Sequence, residues 1–277
     1  MIPLHLSYST YNQWTRCKKA YQLGKIVQAP AKPALYFAGG SAIHRAIEDH
    51  DREDRVMGTW ESYFYPEMSR LMEESNGLYW DVRTWLSGGP INNPETPEDW
   101  MTIGPTCIDN WISFSKDEFE VQDIELDVTG YLPGCPVPIK GFVDRTGVHK
   151  THGPLIVDIK NGKSKPKDIF QLGTYHALML AKEWCCVPDL GAYFMGREGR
   201  IIGKPVDLSE YTPEAVGKVY GEIYEEMVKA EKSDRYPAVK EFNCKWCNQQ
   251  DNCLAYLGET KQAKRFDPYY GKGIVAF

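Results

Sequence analysis

The most constraining feature of this sequence is a pair of short apolar runs that each carry an acid near the end. The first run spans residues 138–145 and contains Asp144, and the second spans residues 155–160 and contains Asp158 and Lys160. Their branched residues and flanking turn residues predict two neighbouring strands. Because alternate side chains of a strand share a face, Asp158 and Lys160 are expected on the same side. Taken alone, the second run also fits a strand that leaves the core and ends in solvent.

The stretch between the runs, residues 146–154, is predicted to be a hairpin connection because it holds two glycines and a proline. A turn centred near Thr151 places Asp144 and Asp158 opposite each other, with Cβ atoms about 4.5–5.5 Å apart. Two carboxylates at that distance repel each other unless a cation lies between them. The spacing therefore predicts a divalent-metal site whose oxygen ligands suit Mg²⁺ or Mn²⁺.

A third element completes a known pattern. The segment Phe-Gln-Leu-Gly-Thr-Tyr lies on a predicted helix, residues 167–182, and puts Gln171 and Tyr175 on one helix face. Together with Asp144 and the Asp158-Ile159-Lys160 run, it resembles the core of the PD-(D/E)XK nuclease superfamily. The resemblance is strongest to the RecB-like branch, which includes the CRISPR-associated iron–sulfur exonucleases and the AddB nuclease domain.

The resemblance implies a role for each of these residues. Asp144 and Asp158 would hold Mg²⁺ or Mn²⁺ together with the backbone carbonyl of Ile159. Lys160 would orient the attacking water or stabilise the charge of the transition state. Gln171 and Tyr175 on the helix would orient the substrate or the scissile phosphate. The catalytic residues implied in this way are Asp144, Asp158, Lys160, Gln171 and Tyr175.

A further motif lies nearer the N-terminus. Residues 39–41, Gly-Gly-Ser, are predicted to open a helix that is capped by Ser41 and carries His44 one turn before Glu48. A single histidine on a helix is more often structural than a ligand. However, residues 40–44 resemble the Gly-x-x-x-His motif of RecB-like nucleases, and this resemblance makes His44 a metal ligand.

Three of the eight cysteines form a close group near the C-terminus, with the spacing Cys-x2-Cys-x5-Cys. Three thiols need a fourth ligand to complete a tetrahedral zinc site or a cubane cluster, and the spacing alone leaves both open. The iron–sulfur exonucleases carry one cysteine before the nuclease core and three after it. The resemblance therefore favours a [4Fe–4S] cluster that joins the two ends of the chain as a structural staple. Its ligands would be Cys17, Cys244, Cys247 and Cys253.

The charge of the chain limits how it binds nucleic acid. The net charge is −6, which argues against binding driven by bulk charge. Four lysines nevertheless fall within eight residues at the end of the second strand. Such a run fits a solvated loop as well as a phosphate-contacting loop. After Lys160, the candidates for DNA contact are Lys163, Lys165 and Lys167.

The resemblance implies an α/β fold with a restriction-endonuclease-like mixed sheet flanked by helices. It also implies a single nuclease domain over residues 1–277, with a helical insertion at residues 58–120. Most aromatic side chains of the insertion are expected to pack in the core, with stacking on unpaired bases as the alternative for a minority. Cluster-binding segments are expected at residue 17 and residues 244–253. Glu125 lies on a predicted strand over residues 121–128, where some members of the family carry an acid that supports the site. A side chain that faces solvent is the favoured expectation for Glu125, with such a supporting role as the alternative. No run is long enough to cross a membrane and no signal-peptide layout is found, so a cytoplasmic location is expected.

By resemblance, the chain is expected to be a metal-dependent exonuclease that acts on DNA ends, mainly single-stranded and from 5′ to 3′. Recombination and repair, phage DNA processing and CRISPR adaptation stay open as settings. Because the chain carries no helicase motif, a helicase or a recombination or CRISPR-adaptation partner would supply unwinding. One alternative is a DNA-binding or adaptor protein that keeps the scaffold and cluster without cleaving DNA. Another is a zinc-stapled protein of different function.

Overall fold

A mixed β-sheet lies at the centre of the protein. The computed structural model describes residues 2–90, 92–240, 242–258 and 260–268. The strands are β1 (Leu6–Ser7), β2 (Phe119–Asp127), β3 (Ile139–Lys140), β4 (Phe142–His149), β5 (Gly153–Lys160), β6 (Leu190–Met195), β7 (Arg200–Ile201) and β8 (Val206–Asp207). The main sheet has the order β2-β4-β5-β6-β7, β8 also pairs with β6, and β1 and β3 form a separate parallel pair.

Helices cover both faces of this sheet. They are α1 (Tyr8–Arg16), α2 (Lys18–Tyr21), α3 (Leu35–Glu53), α4 (Trp60–Glu74), α5 (Pro97–Asp117), α6 (Phe170–Ala181), α7 (Pro213–Ser233), α8 (Leu254–Leu257) and α9 (Lys261–Phe266). Helices α1, α6 and α7 pack in a core on one face, and α3, α4 and α5 pack in a core on the other. This arrangement confirms the predicted mixed sheet between helical layers. None of the helices in the described ranges is long and apolar enough to cross a membrane.

Strand β5 occupies the middle of the sheet, antiparallel to β4 and parallel to β6. Val157 and Ile159 pack in the α3–α5 core, whereas Ile156 packs in the α6–α7 core. A strand buried on both faces is expected to be continuously apolar, which explains the composition of this run. The buried-strand interpretation is therefore correct for β5.

The hairpin before β5 is tighter than predicted. Pairing continues as far as His149 opposite Gly153, so only residues 150–152 form the turn rather than residues 146–154. The predicted centre at Thr151 is confirmed. Gly147 belongs to the strand, where an added Cβ would meet the Glu120 backbone oxygen at 2.2 Å. The glycine that suggested a loop is thus needed for the close approach of β2.

Helix α3 begins six residues before Ser41, so the prediction of a Ser41 cap is wrong. Gly39 lies inside the helix although glycine disfavours helices. A Cβ at Gly39 would lie only 2.0 Å from Cζ3 of Trp100, so the glycine lets α5 pack against α3. Residues 58–120 contain α4 and α5, and most of their aromatic side chains are buried, with Tyr65 and Trp80 exposed.

Candidate active site

The end of β5 presents two charged side chains on the face that α6 covers. Asp158 is 1% exposed, and its Oδ2 lies 2.6 Å from Nζ of Lys160. The two side chains share a face because they are two residues apart in a strand. The sequence therefore buries one carboxylate and pairs it with one ammonium group that is still partly open to solvent.

Asp144 reaches the same place from β4. The register pairs Arg145 with Val157, and one further step puts Asp144 opposite Asp158. The Oδ2 of Asp144 accepts a 2.7 Å hydrogen bond from the backbone N–H of Ile159. The strand pairing thus brings the two acids together, as the hairpin spacing predicted.

The surroundings shift proton binding at Asp158. Burial raises the pKa of Asp158 to about 6, and the charge of Asp144 adds to the rise, whereas Lys160 and His44 oppose it. Burial and a neighbouring acid together favour the protonated carboxyl here, and the adjacent lysine does not fully offset them. A divalent cation would favour the charged form.

Helix α6 holds Lys160 in place through two side chains. The Nζ of Lys160 donates to Oε1 of Gln171 at 3.1 Å, and Nε2 of Gln171 donates to the hydroxyl of Tyr175 at 2.8 Å. Gln171 and Tyr175 are adjacent because they are one helical turn apart. Burial raises the pKa of Tyr175, so its phenol stays neutral. The chain of bonds fixes the orientation of the lysine.

His44 approaches from α3 on the other side of β5. Its Nε2 lies 3.1 Å from the backbone oxygen of Ile159, and its Nδ1 lies 3.8 Å from Oδ2 of Asp144. The imidazole therefore faces the same two groups that the sequence predicted as fellow ligands. Its placement depends on α3, which carries it into the site one turn beyond Gly40.

Glu125 is a member of the site, and the prediction that it faces solvent is wrong. One ligand atom from each of His44, Glu125 and Asp144 lie within 4.8 Å of one another. Glu125 has a left-handed φ of 48° inside β2, a conformation that costs a residue with a side chain about 1–3 kcal/mol. Burial raises the pKa of Glu125 to about 7, with a further contribution from Asp144. The strained backbone turns this carboxyl toward the metal-ligand group.

A buried arginine supports Glu125 from behind. Arg145 is fully buried, its Nη1 lies 3.4 Å from Oε1 of Glu125, and its Nε pairs with Asp51. Trp111 donates its indole N–H to the same Asp51 carboxylate at 3.0 Å. Arg145 directly follows Asp144 in the chain. The residue next to one acid of the site therefore also positions a second acid, Glu125.

The donor set of this site fits a divalent cation. It combines an imidazole with carboxylate oxygens, ligands that Mn²⁺ accepts and Mg²⁺ takes in part. Burial, with the charge of Asp144 as a further cause, raises the pKa of Glu125 and that of Asp158. A divalent cation would favour the charged form of both carboxyls. Asp158 lies outside the compact His44, Glu125 and Asp144 group and is paired with Lys160.

Comparison with known families agrees with this geometry. The family profile of the PD-(D/E)XK nuclease superfamily matches residues 5–254, which is most of the chain. The chain belongs to the PD-(D/E)XK nuclease superfamily. It is also similar to two phage proteins, each called Gene 69 protein. The one from Mycobacterium phage L5 is 27% identical over 297 residues, and the one from Mycobacterium phage D29 is 28% identical over 283 residues. Both matches cover 92% of this chain and 98% of the relative.

The PD-(D/E)XK site opens into a groove of about 1190 Å³, whose wall includes His44, Glu125 and Lys160. Of the lysines predicted to contact DNA, Lys163 also lines this groove, and its Nζ lies 3.0 Å from Oε1 of Glu95. Lys165 instead donates to the backbone oxygen of Ile202 at 3.0 Å, and Lys167 is exposed. Of the three lysines, Lys163 therefore lies at the groove, Lys165 makes an internal contact and Lys167 is exposed.

The four cysteines predicted as cluster ligands come from both ends of the nuclease core. Cys17 separates α1 from α2, and Cys244, Cys247 and Cys253 lie along successive short turns. Burial raises the pKa of Cys247, and Cys17 and Cys244 add to the rise. Burial also raises the pKa of Cys253 to about 11, with a contribution from Cys17. The early cysteine is thus close enough to affect two of the late thiols.

Several hydrogen bonds tie the late cysteine segment to the N-terminal part of the chain. Asn252 donates its side-chain amide to the backbone oxygen of Pro30 at 2.8 Å, and Gln249 donates to that of Ala29 at 3.3 Å. The backbone N–H of Lys32 donates to the oxygen of Asn248 at 2.7 Å. The segment is therefore docked beside Cys17 by contacts that do not involve sulfur.

The remaining cysteines take no part in this convergence. Cys107 and Cys135 are buried in the two cores, and Cys185 and Cys186 are exposed on the connection between α6 and β6. Cys107 and Cys135 therefore serve as core side chains, and Cys185 and Cys186 as surface side chains.

Proposed function

We propose that this protein is a divalent-metal-dependent DNA exonuclease of the RecB-like branch. The carrying observation is the meeting of Asp144, Asp158 and Lys160 beside His44, with His44 and Lys160 in the wall of one groove. An adaptor without catalytic function has no need to keep a buried acid and lysine in contact, because such a pair costs desolvation energy.

The catalytic residues divide the work of phosphodiester hydrolysis. A bound divalent ion supplies Lewis-acid polarisation of the phosphate and neutralises developing charge. His44, Asp144 and Asp158, with the carbonyl of Ile159, are the proposed ligands. Lys160 places an ammonium group where negative charge grows on the phosphate, and it holds the attacking water in line.

Glu125 joins this ligand set in our proposal. Its carboxylate is held by Arg145 within 3.4 Å, and it belongs to the compact group with His44 and Asp144. It adds a carboxylate oxygen to the compact group, to which Asp158 does not belong.

A test of the proposed activity uses end-labelled and circular DNA. The wild-type protein with Mn²⁺ is expected to release mononucleotides from linear single strands, to act more slowly on blunt duplexes and to leave circular single strands intact. A 5′-label is expected to be released before a 3′-label. Cleavage of circular strands at the linear rate would contradict the exonuclease assignment, and cleavage in excess chelator would contradict metal dependence.

The variant Gln171→Ala is expected to lower turnover about 10- to 100-fold, the usual effect of removing a group that orients a catalytic side chain. Lys160 loses its 3.1 Å acceptor on α6, so its ammonium group samples more orientations. Single-turnover cleavage measures the effect, and DNA affinity should stay unchanged. The exposed Gln122→Ala on β2 is the matched control. Equal turnover of the two variants would show that α6 does not position the lysine.

Mn²⁺ affinity is expected to fall by more than about tenfold between about pH 7 and about pH 5. The pKa of Asp158 is raised to about 6 and that of Glu125 to about 7, so protons compete with the ion in this range. Both pKa values are raised in the folded protein, so protonation of these carboxyls favours the folded state when no metal is bound. The metal-free fold therefore loses stability as pH rises through about 6 to about 7. Calorimetric Mn²⁺ titration measures the affinity, and an affinity that does not change with pH would contradict the ligand assignment.

We also propose that Cys17, Cys244, Cys247 and Cys253 hold a [4Fe–4S] cluster. Backbone N–H groups of residues 255 and 256 are directed at the Cys253 sulfur, and that of Gln249 at the Cys247 sulfur. Such N–H groups stabilise thiolates and are typical of cluster ligands. Four thiolates also serve a tetrahedral zinc site, and it is the resemblance to the iron–sulfur exonucleases that favours the cluster.

A further inference from the structure

Two pairs of basic side chains line the groove beside the candidate metal site, and each pair is anchored on a buried glutamate. The first, which we call the α4 pair, consists of Arg45 and Arg70 on Glu67. The second, the loop pair, consists of Lys163 and Arg197 on Glu95. Resting on the proposed nuclease function, we infer that the two pairs are phosphate-binding sites for one strand of nucleic acid. An exposed aromatic ring in the same groove takes an unpaired base.

The α4 pair lines the same groove as His44. The guanidinium of Arg45 lies 2.9 Å from Oε1 of Glu67, and that of Arg70 lies 2.8 Å from Oε2. Glu67 is 4% exposed, whereas the two arginine side chains are about half exposed. Arg70 also reaches Glu74 at 2.6 Å, so Arg45 has the larger unused capacity to donate hydrogen bonds.

The loop pair follows Lys160. Glu95 receives both Nη atoms of Arg197, at 2.8 and 3.0 Å, and the Nζ of Lys163 at 3.0 Å. Burial works against the charge of Glu95, but the bonds from Arg197 and Lys163 outweigh it and hold its pKa below the ordinary value. Two cations therefore share one carboxylate, which leaves a surplus positive charge at the groove.

Arg197 is fixed more firmly than a surface arginine. Its Nε donates to the backbone oxygen of Asn161 at 2.8 Å, and its guanidinium lies 5.2 Å from the centre of the Trp100 ring. A side chain that is already ordered loses little entropy when a phosphate binds. Guanidinium groups match the geometry of phosphate oxygens, and this favours phosphate over other anions.

The location of these charges matters because the whole chain carries a net charge of −6. Glu48 and Glu125 add negative charge to the wall of the groove. A polyanion is therefore expected to bind where cations are concentrated, and the two pairs are such places beside the proposed ligands. Arg45 directly follows His44 in the chain and Lys163 lies three residues after Lys160, so both pairs belong to the groove wall that carries the proposed metal site.

Phe37 makes the groove suited to an unpaired base. Its ring is 50% exposed, lies on the wall of the groove and is braced by Tyr36 with ring centres 4.8 Å apart. An exposed aromatic side chain beside phosphate-binding cations is the arrangement that binds single strands without sequence preference. Because bases within a duplex are already stacked on each other, Phe37 selects for a single strand.

The test measures binding separately from cleavage. A labelled oligodeoxythymidine of about 20 nucleotides is titrated with the Lys160→Ala protein in Mn²⁺ at several salt concentrations. The logarithm of affinity falls with the logarithm of salt by about 0.7 for each phosphate contact on a single strand. Adding Arg45→Gln or Lys163→Gln is expected to reduce that slope by about 0.7, and adding both by about 1.4. Arg45→Lys, which keeps the charge, should leave the slope unchanged.

Phe37→Ala is expected to weaken single-strand binding about 5- to 150-fold without changing the salt slope, and to leave duplex binding nearly unchanged. The exposed Arg83→Gln and Lys229→Gln, on other surfaces, are matched controls that should behave as the parent. A salt slope of the double variant equal to that of the parent would overturn the assignment of the two pairs as phosphate-binding sites. Equal loss of duplex and single-strand binding in Phe37→Ala would overturn the base site. Absence of cleavage by the wild-type protein would contradict the exonuclease proposal but would leave these binding slopes readable.

Discussion

Lys160→Ala is expected to lower the rate of DNA cleavage by at least about 10³-fold while DNA binding changes little. Removing one preorganised group that stabilises transition-state charge typically costs about 10²–10³ in turnover. Here the same substitution also leaves the buried Asp158 without its 2.6 Å partner, so the ligand set loses part of its orientation. Single-turnover cleavage in Mn²⁺ and anisotropy with a labelled single strand measure the two quantities.

The control for this variant is Lys204→Ala, an exposed lysine on the connection between β7 and β8. It removes the same charge from the chain and should cleave at the wild-type rate. Thermal unfolding of Lys160→Ala separates loss of chemistry from loss of fold. A folded Lys160→Ala protein that cleaves near the wild-type rate would remove the lysine from the mechanism.

Cys247→Ala is expected to abolish the brown colour of anaerobically purified protein and to lower its melting temperature by about 10 °C. The cluster would close a loop of about 230 residues between Cys17 and Cys247, and chain entropy puts such a closure at about 5 kcal/mol as an upper value. For a chain of this size, each kcal/mol shifts the melting temperature by about 2–4 °C. Hydrogen bonds such as that of Asn252 to Pro30 should keep the segment partly docked.

Cys185→Ser is the matched control, because Cys185 is exposed and away from the four proposed ligands. It should keep about four irons per chain and the parental melting temperature. Cys17→Ser, at the other end of the chain, should reproduce the loss of colour and stability. A colourless wild-type protein that contains zinc would replace the cluster with a zinc staple. A Cys247→Ala protein that keeps both colour and stability would remove Cys247 from the ligand set.

The sequence was sufficient to locate the central pair of acids. Asp144 and Asp158 are equally distant from Thr151, and an antiparallel hairpin converts equal distances into opposite positions. Strand alternation put Lys160 beside Asp158, and helical spacing put Gln171 beside Tyr175. These relations are local, so they can be calculated from positions in the chain.

Glu125 could not be placed in this way. Alternation along a regular strand assumes extended backbone at every residue, whereas Glu125 has a φ of 48°. Its direction also depends on Arg145 and Asp51, which lie on two other elements. The signal that was available is an acid on the strand adjacent to Asp144, and by itself it does not distinguish a ligand from a surface residue.

Of the basic pairs in the groove, only Lys163 was among the predicted DNA contacts, and the pairing itself was missed for a related reason. Glu95 and Arg197 are about one hundred residues apart, and each is unremarkable in its own stretch of sequence. Helix α3 also starts earlier than its sequence signals indicate, because Gly39, which suggested a helix start, lies inside the helix and leaves room for Trp100. Long-range packing decides such features, and neither periodicity nor spacing reports it.

The central claim is that Asp144 is a ligand of a divalent ion that cleavage requires. Manganese binding followed by electron paramagnetic resonance, with DNA cleavage in the same samples, tests it most directly. The wild-type protein should bind Mn²⁺ and cleave, Lys160→Ala should bind Mn²⁺ without cleaving, and Asp144→Asn should do neither. Tight Mn²⁺ binding by a folded Asp144→Asn protein that still cleaves DNA would contradict the account.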